Sequence, residues 1–352
     1  MGETMQDLRE MTADEWLGKI KTFPSDKCDI YFTPGYYATW QGVEPGLAKC
    51  LGGEIGDAEF IYPFLINQID GYKNGGQFFD VTTAYGYGGL LANKPLDQRQ
   101  ISAVDDAVCS WMRDHQVIAE LIREHPILAV PFPSAERHQV RSNVYADITS
   151  ITESWNNIEK KGGRYSVNKA KRMGLAIHYD LAAETLDDFI TLYSSKAAES
   201  GWNAFYHFPE KYFLQLSKLL KENIQLVRVE LDGVLMACAL TMRWGKTLHN
   251  HLAASSETGK KMNANDMLYW GLVQLGNQLG CTRLSFGGGL STDEDDQLFS
   301  FKKKFGKIHL PVYIERRIHD KKRYDVIVEQ WRENHPELKH KEKYLLCYRE
   351  DS

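Results

Sequence analysis

Apolar positions along this chain recur with two periods, and the switches between them mark out its elements. Over 13–22 the spacing is helical, behind a cap at Thr12. Short apolar runs predict strands at 29–32, 58–66 (AEFIYPFLI) and 77–81, the last running into a glycine turn at 82–89. From 97 to 124, Ile101, Val104, Val108, Trp111, Met112, Ile118, Leu121 and Ile122 fall at helical spacing and predict one long helix. A short strand at 127–130 is closed by Pro131 and Pro133.

The second half is more regular. Strands are predicted at 144–148 and 175–179, and Thr185, followed by Asp188, opens a helix with Phe189, Ile190, Tyr193 and Ala197 on one face. An aromatic loop, 201–209, leads to a helix over 209–222. Strands at 225–230, 234–243 and 247–254 follow, joined by the hairpin turns Asp232-Gly233 and Gly245-Lys246. A polar loop, 255–263, precedes a helix over 264–279 with Leu268, Leu272, Leu275 and Leu279 inward, and then a strand at 282–286. Beyond it the pattern predicts a strand at 312–316, a polar helix at 324–332 and a last strand at 343–348. The fold class is α/β (α+β), with mixed, mostly antiparallel sheets flanked by helices.

Composition narrows the partners. With 352 residues there is room for two domains, and 43% hydrophobic with 25% charged residues is ordinary globular composition. A net charge of −5 carries no global basic field, which argues against DNA as a partner. No apolar run is long enough to cross a bilayer, the N-terminal stretch lacks the apolar core of a signal peptide, and Gln6 removes Gly2 as a myristoylation site, so a cytoplasmic location is expected. The six cysteines are scattered without a CxxC pair, as in a reduced compartment, and no zinc spacing recurs. Neither GxGxxG nor a Walker A sequence is present.

Chemistry concentrates in a few stretches. The segment 280–306 joins a strand to Gly287, Gly288 and Gly289, then Asp293, Glu294, Asp295 and Asp296, then Phe301-Lys302-Lys303-Lys304-Phe305-Gly306. Glycines after a strand admit close approach of a ligand, and the lysines suit a phosphate or an oxyanion. The acids are read as a solvated loop, and no metal site is expected. Residues 160–172 form the most basic stretch, with Arg164, Lys169, Lys171 and Arg172 available to a diphosphate or a nucleic-acid backbone; a solvated helix face is the rival reading. His249 and His251 share one face of a strand, where either could accept a proton.

Taken in order, the meander 225–254, the helix 264–279 and the strand 282–286 repeat the core order of the GNAT acyltransferase fold. Several dispersed motifs narrow the resemblance. Asp80-Val81-Thr82-Thr83-Ala84-Tyr85-Gly86-Tyr87-Gly88-Gly89, Asn168-Lys169-Ala170-Lys171-Arg172-Met173-Gly174, Phe205-Tyr206-His207-Phe208-Pro209, His251-Leu252, and Gly287-Gly288-Gly289 with Phe301-Lys302-Lys303-Lys304-Phe305-Gly306 resemble motifs of the Fem-type peptidyltransferases, a GNAT branch. Ala84 stands where that family usually has proline, and 130–137 does not carry the family's Arg-x-His-Pro-Leu element.

The resemblance implies two GNAT-like domains, 1–150 and 151–317, with 318–352 packing back on the first and a substrate groove between them. It implies an N-acyltransferase moving an aminoacyl or acyl group onto an amine of a nucleotide- or lipid-linked cell-envelope peptide or glycan precursor. No cofactor is expected to be tightly bound; the co-substrate is acyl-CoA or aminoacyl-tRNA. The alternatives are a plain acyl-CoA-dependent sugar or amine acyltransferase and a catalytically silent binding module. Lys302 is the candidate oxyanion donor, Asp80 and His251 the candidate proton acceptors. Tyr85, Tyr87, Arg164, Lys169, Arg172, Tyr206, Gly287 and Gly288 are candidates for substrate binding. Lys260, Lys261 and Asn263, within the candidate loop 258–265, are candidates for the donor phosphate, at the helix N-terminus where GNAT enzymes hold a pyrophosphate; the CoA-binding glycine pattern is not matched there.

Overall fold

The computed structural model describes residues 5–41, 43–73, 75–199, 206–289 and 296–349. The chain divides into two compact units, residues 1–140 with 312–352, and residues 141–311.

The first unit opens with β1 (Met5–Glu10) and α1 (Ala13–Thr22), the latter held by a capping box between Thr12 and Glu15. The strand expected at 29–32 is instead a 3-10 turn, Ile30–Phe32, running into α2 (Pro34–Trp40). Asp29 and Thr33 each accept a following backbone N–H, so local capping overrides the β-propensity of Ile-Tyr-Phe. Next come β2 (Leu47–Ile55), β3 (Ala58–Gln68), β4 (Phe79–Thr82) and the two-residue β5 (Leu91–Ala92).

The single helix expected over 97–124 is two elements. α3 (Gln98–Asp114) ends where Gln116 turns left-handed at φ 58°, and β6 (Val117–Arg123) begins. β6 pairs in parallel with β4 on one side and antiparallel with a later strand on the other. A strand paired on both edges and buried on both faces is a continuous apolar run, which periodicity alone does not separate from a helix. The strand expected at 127–130 shrinks to one bridge between Leu90 and Val130.

β7 (Glu136–Asp147) carries the chain into the second unit. There follow α4 (Ile151–Asn157), a π-helical turn at Lys160–Arg164, α5 (Tyr165–Arg172), β8 (Ala176–Asp180), α6 (Leu186–Glu199) and α7 (Glu210–Leu220). The meander is β9 (Ile224–Leu231), β10 (Val234–Trp244) and β11 (Thr247–Ser255). Its first turn places Asp232 at φ 49° and Gly233 at φ 79°, the left-handed pair that a tight hairpin requires. α8 (Glu257–Lys261), α9 (Ala264–Gln278), β12 (Arg283–Gly288) and α10 (Gln297–Lys303) complete the unit. Its strands run β7-β12-β11-β10-β9-β8. α9 buries Leu268, Leu272 and Leu275 among Val227, Ala239, Leu248 and Leu284 of the strands.

β13 (Ile308–Ile318) returns the chain to the first unit, where the strand order is β1-β2-β3-β4-β6-β13, and α11 (Lys321–Asn334) follows. The strand expected at 343–348 does not form. Leu345, Leu346, Cys347 and Tyr348 instead pack irregularly with Ile118, Ile327 and Trp331, ending in a 3-10 turn at Cys347–Arg349.

Candidate active site

Within the second unit, β11 and β12 pair in parallel only from Thr247–Arg283 to His249–Ser285. Past that point β12 stays with β7, Gly287 opposite Val144 and Gly288 opposite Asn143. On its other side, β11 is bulged against β10 at His251, between Asn250 and Leu252. A bulge re-aims side chains and bends a strand, so the bulge and the short ladder together open a fork between β11 and β12.

Lys302 reaches the β12 side of this fork. Phe301 and Phe305 pack at 4.9 and 5.3 Å from the ring of Tyr269, which stacks on Phe286 at 5.0 Å. A Cβ on Gly306 would lie 2.5 Å from the Tyr145 carbonyl oxygen, so only glycine lets this segment close on β7. The aromatic anchors pull the intervening lysine inward. Lys302 is 8% exposed, and its Nζ donates to the Gly288 carbonyl at 2.6 Å. Burial, with Arg141 adding repulsion against the pull of Asp296, pushes it down to about 7. At neutral pH such a group can donate to an oxyanion or take up a proton. It is no surface lysine. Gly287 next to it sits at φ +73°, a conformation that favours glycine.

His251 is a different matter. Its Nε2 shares a 2.5 Å hydrogen bond with the Tyr212 hydroxyl, and burial with the neighbouring His249 pushes it down to about 3. It therefore stays neutral and is a poor proton acceptor near pH 7, contrary to the role expected of it. Asp266, which no sequence motif singles out, is the better placed acid. This carboxylate is buried in the first turn of α9, burial pushes it up to about 6 against the pull of Lys304, and its Oδ1 has no hydrogen-bond partner among the described residues. The signal was a lone acid between Asn265 and Met267 at the head of an otherwise apolar helix.

The donor-phosphate loop is not built as expected. Residues Glu257–Lys261 are helical, and Gly259 serves packing, because a Cβ there would lie 2.2 Å from the Met236 carbonyl oxygen. Lys260 is paired with Glu257 at 3.0 Å, and Lys196 pairs with the same carboxylate. Lys261 is exposed, and Asn263 is a left-handed N-cap of α9 with no side-chain cap hydrogen bond. Asp266 lies buried in the first turn of α9, where its charge opposes an anion at that helix end.

Of the basic segment, Arg164 closes the π-helical turn, is half-buried, and keeps an Nε without a hydrogen-bond partner among the described residues. Glu159 donates its backbone N–H to the Lys304 carbonyl at 2.8 Å, so this turn packs on the segment that carries Lys302. Lys169 and Arg172 lie exposed on α5, and Lys171 stands over the Trp155 ring. The Tyr206 carbonyl accepts from the Tyr193 hydroxyl at 3.0 Å. Residues 200–205 and 290–295, with Trp202, Phe205 and three of the four acids, lie outside the described residues.

In the first unit, Asp80 on β4 is buried and ion-paired with Arg349, so the proposed proton acceptor already holds a guanidinium. Tyr87 is buried edge-on to Tyr31 at 5.0 Å and near His125 at 5.7 Å, a core placement rather than a groove wall. Tyr85 is half-buried beside Trp40, and its carbonyl accepts from the Tyr36 hydroxyl at 2.6 Å. The Arg-x-His-Pro order sought at 130–137 occurs earlier, at Arg123-Glu124-His125-Pro126. Gly88 N–H donates to the Arg123 carbonyl and His125 N–H to that of Gly88, so this element and the YGYGG turn are locked together by adjacent strands.

Comparison with known proteins agrees with this architecture. Residues 160–300 match the acetyltransferase (GNAT) domain family. The fold is similar to FemX at 15% identity, covering 91% of this chain and 100% of that one with a TM-score of 0.67. It is also similar to a structure described as the C-terminal domain of a lysylphosphatidylglycerol synthetase from Agrobacterium fabrum (15% identity, 87% and 92% covered, TM-score 0.54) and to L-PGS from Bacillus licheniformis (16%, 74% and 84%, 0.50). No curated protein matches in sequence. No helix among the described residues is long and apolar enough to cross a membrane. The class is an acyltransferase of the GNAT type, its GNAT domain lying in the second unit. Within that class the chain has the fold of the Fem-type branch.

Proposed function

We propose that this acyltransferase moves an aminoacyl group from aminoacyl-tRNA to an amine of a nucleotide- or lipid-linked cell-envelope precursor. The observation that carries the reading is Lys302, buried at the fork beside Gly287 and Gly288 and brought to about 7. The neutral acceptor amine attacks the ester carbonyl carbon, and the carbonyl oxygen takes the electron pair as an oxyanion. Lys302, as ammonium, donates to that oxyanion. The intermediate collapses with cleavage of the ester C–O bond, and the leaving ribose oxygen takes the proton that the amine gives up. A covalent enzyme intermediate is not required.

The α8–α9 junction favours tRNA over CoA as the donor. Gly259 is spent on packing, Lys260 on Glu257, and Asp266 occupies the first turn, so that end is poorly suited to a pyrophosphate. Arg164 and the exposed Lys169 and Arg172 offer cations to the acceptor diphosphate or the tRNA backbone.

The test is transfer by the purified chain from aminoacyl-tRNA or acyl-CoA to a UDP-linked peptide precursor, with Lys302→Ala in parallel. The reading expects product from the tRNA donor and a loss of about 100-fold or more in turnover in the variant, with the circular dichroism spectrum kept. Product from acyl-CoA alone would replace the donor, and full turnover in the variant would remove Lys302 from the mechanism.

A further inference from the structure

The first unit carries a cleft of its own, where α3, the end of β13 and α11 meet. Its volume is about 430 Å³, within the range of small-ligand sites, and Arg113, Arg316, Arg317 and His319 are among the residues that line it. A smaller hollow of about 190 Å³ shares Arg113 and His319 and adds Arg323. Arg316 and Arg317 are successive residues of a strand, so they reach the cleft from opposite faces of the sheet.

The charges around the cleft do not cancel. Arg317 is nine-tenths buried and divides its guanidinium between Asp105 at 2.6 Å and Glu120 at 2.8 Å. His319 completes that set from 2.8 Å on Glu120; burial opposes its proton, yet beside this carboxylate the ring is held above the ordinary histidine value. With His319 protonated, these four groups balance. Arg323 is matched by Asp320 at 3.3 Å. Arg113, exposed, and Arg316, half-buried, have no carboxylate partner among the described residues. The one acid lining the larger cleft, among the described residues, is Glu136, which is 66% exposed and lies 2.9 Å from His138. The Nε atoms of Arg316 and Arg317 are buried with no hydrogen-bond partner among the described residues. Buried N–H groups call for acceptors, and two of them beside surplus positive charge call for anionic oxygens.

We infer that this cleft binds a small phosphorylated molecule, its phosphoryl or diphosphoryl oxygens taken by Arg113, Arg316 and Arg317. A phosphoryl group offers three acceptor oxygens, enough for three guanidinium groups, and its geometry matches their forked donors. A carboxylate has only two. A cleft that reaches a nine-tenths-buried guanidinium favours a small ligand over a nucleic-acid backbone, which meets cations set out on an open surface. The basic stretch 160–172 belongs to the other unit, so this site neither includes it nor depends on it.

The experiment measures phenylglyoxal modification of each arginine in the native full-length chain by peptide mass spectrometry, at low salt, with and without inorganic pyrophosphate. Pyrophosphate should slow modification of Arg113 and Arg316 about 10-fold or more, while the exposed Arg99, outside the cleft, keeps its rate. High salt should weaken the protection. Arg316→Gln should remove most of the protection at Arg113, since one ligand spans the two. Unchanged rates at Arg113 and Arg316 under saturating pyrophosphate overturn the assignment, and that comparison needs no variant to fold. So does protection of Arg113 that Arg316→Gln leaves intact, or equal protection by chloride at the same ionic strength. A short RNA duplex that shields both arginines where pyrophosphate does not would replace the small ligand by a nucleic-acid backbone.

Discussion

Lys302→Met isolates the cost of burying the catalytic candidate. The lysine falls from its ordinary value of 10.5 to about 7 in the folded chain. Over that window the unfolded chain binds the proton more strongly than the folded one, so stability rises with pH. Below about pH 7 both states are protonated and the full cost of the buried charge, about 5 kcal/mol, is present. Methionine carries no such cost. The variant's advantage over wild type should therefore shrink by about 2 kcal/mol between pH 7 and pH 9. The variant also loses the Lys302 hydrogen bond to the Gly288 carbonyl, about 1 kcal/mol, which lowers its baseline. Thermal melts of both proteins across this range should show the Tm difference changing by roughly 4–8 °C. A difference that stays flat with pH would mean that the Lys302 ammonium is not desolvated, and the argument for its chemistry would go with it.

Lys302→Arg keeps a permanent cation; if Lys302 acts protonated, the variant should retain partial turnover and lose the fall in rate above about pH 7, and a dead variant with its fold intact would point to a base instead. Arg349→Leu leaves Asp80 buried and unpaired and should cost about 3 kcal/mol or more by denaturant titration, part of it recovered in the double variant with Asp80→Asn. Gly259→Ala should lower Tm by forcing α8 off the Met236 carbonyl, with unchanged KM for the acyl donor; a selective rise in that KM would return the segment to donor binding.

Much of the second unit was legible in order along the chain. The meander, its Asp232-Gly233 turn and the amphipathic α9 are local facts, since strand alternation, turn chemistry and helical period are each written within a few residues. The Phe-Lys-x-x-Phe-Gly segment could be singled out for the same reason. What periodicity does not carry is the environment a side chain ends in. Lys302 and Lys303 are neighbours of identical type, yet only the first is buried, with its Nζ on the Gly288 carbonyl, and that follows from β12, α9 and α10 meeting in space. His251 looked like a base and is desolvated to a neutral partner of Tyr212; Asp266, which no sequence motif singled out, is buried without a partner on one oxygen among the described residues. Val117–Arg123 had the spacing of a helix and became a strand because β4 and β13 pair with both its edges. The sequence by itself determined most elements of the second unit and their order, from the strand β8 through the meander and α9 to β12. Burial, ion pairing and the proton affinities that follow from them are sums over residues distant in the chain, and only the tertiary structure decided those.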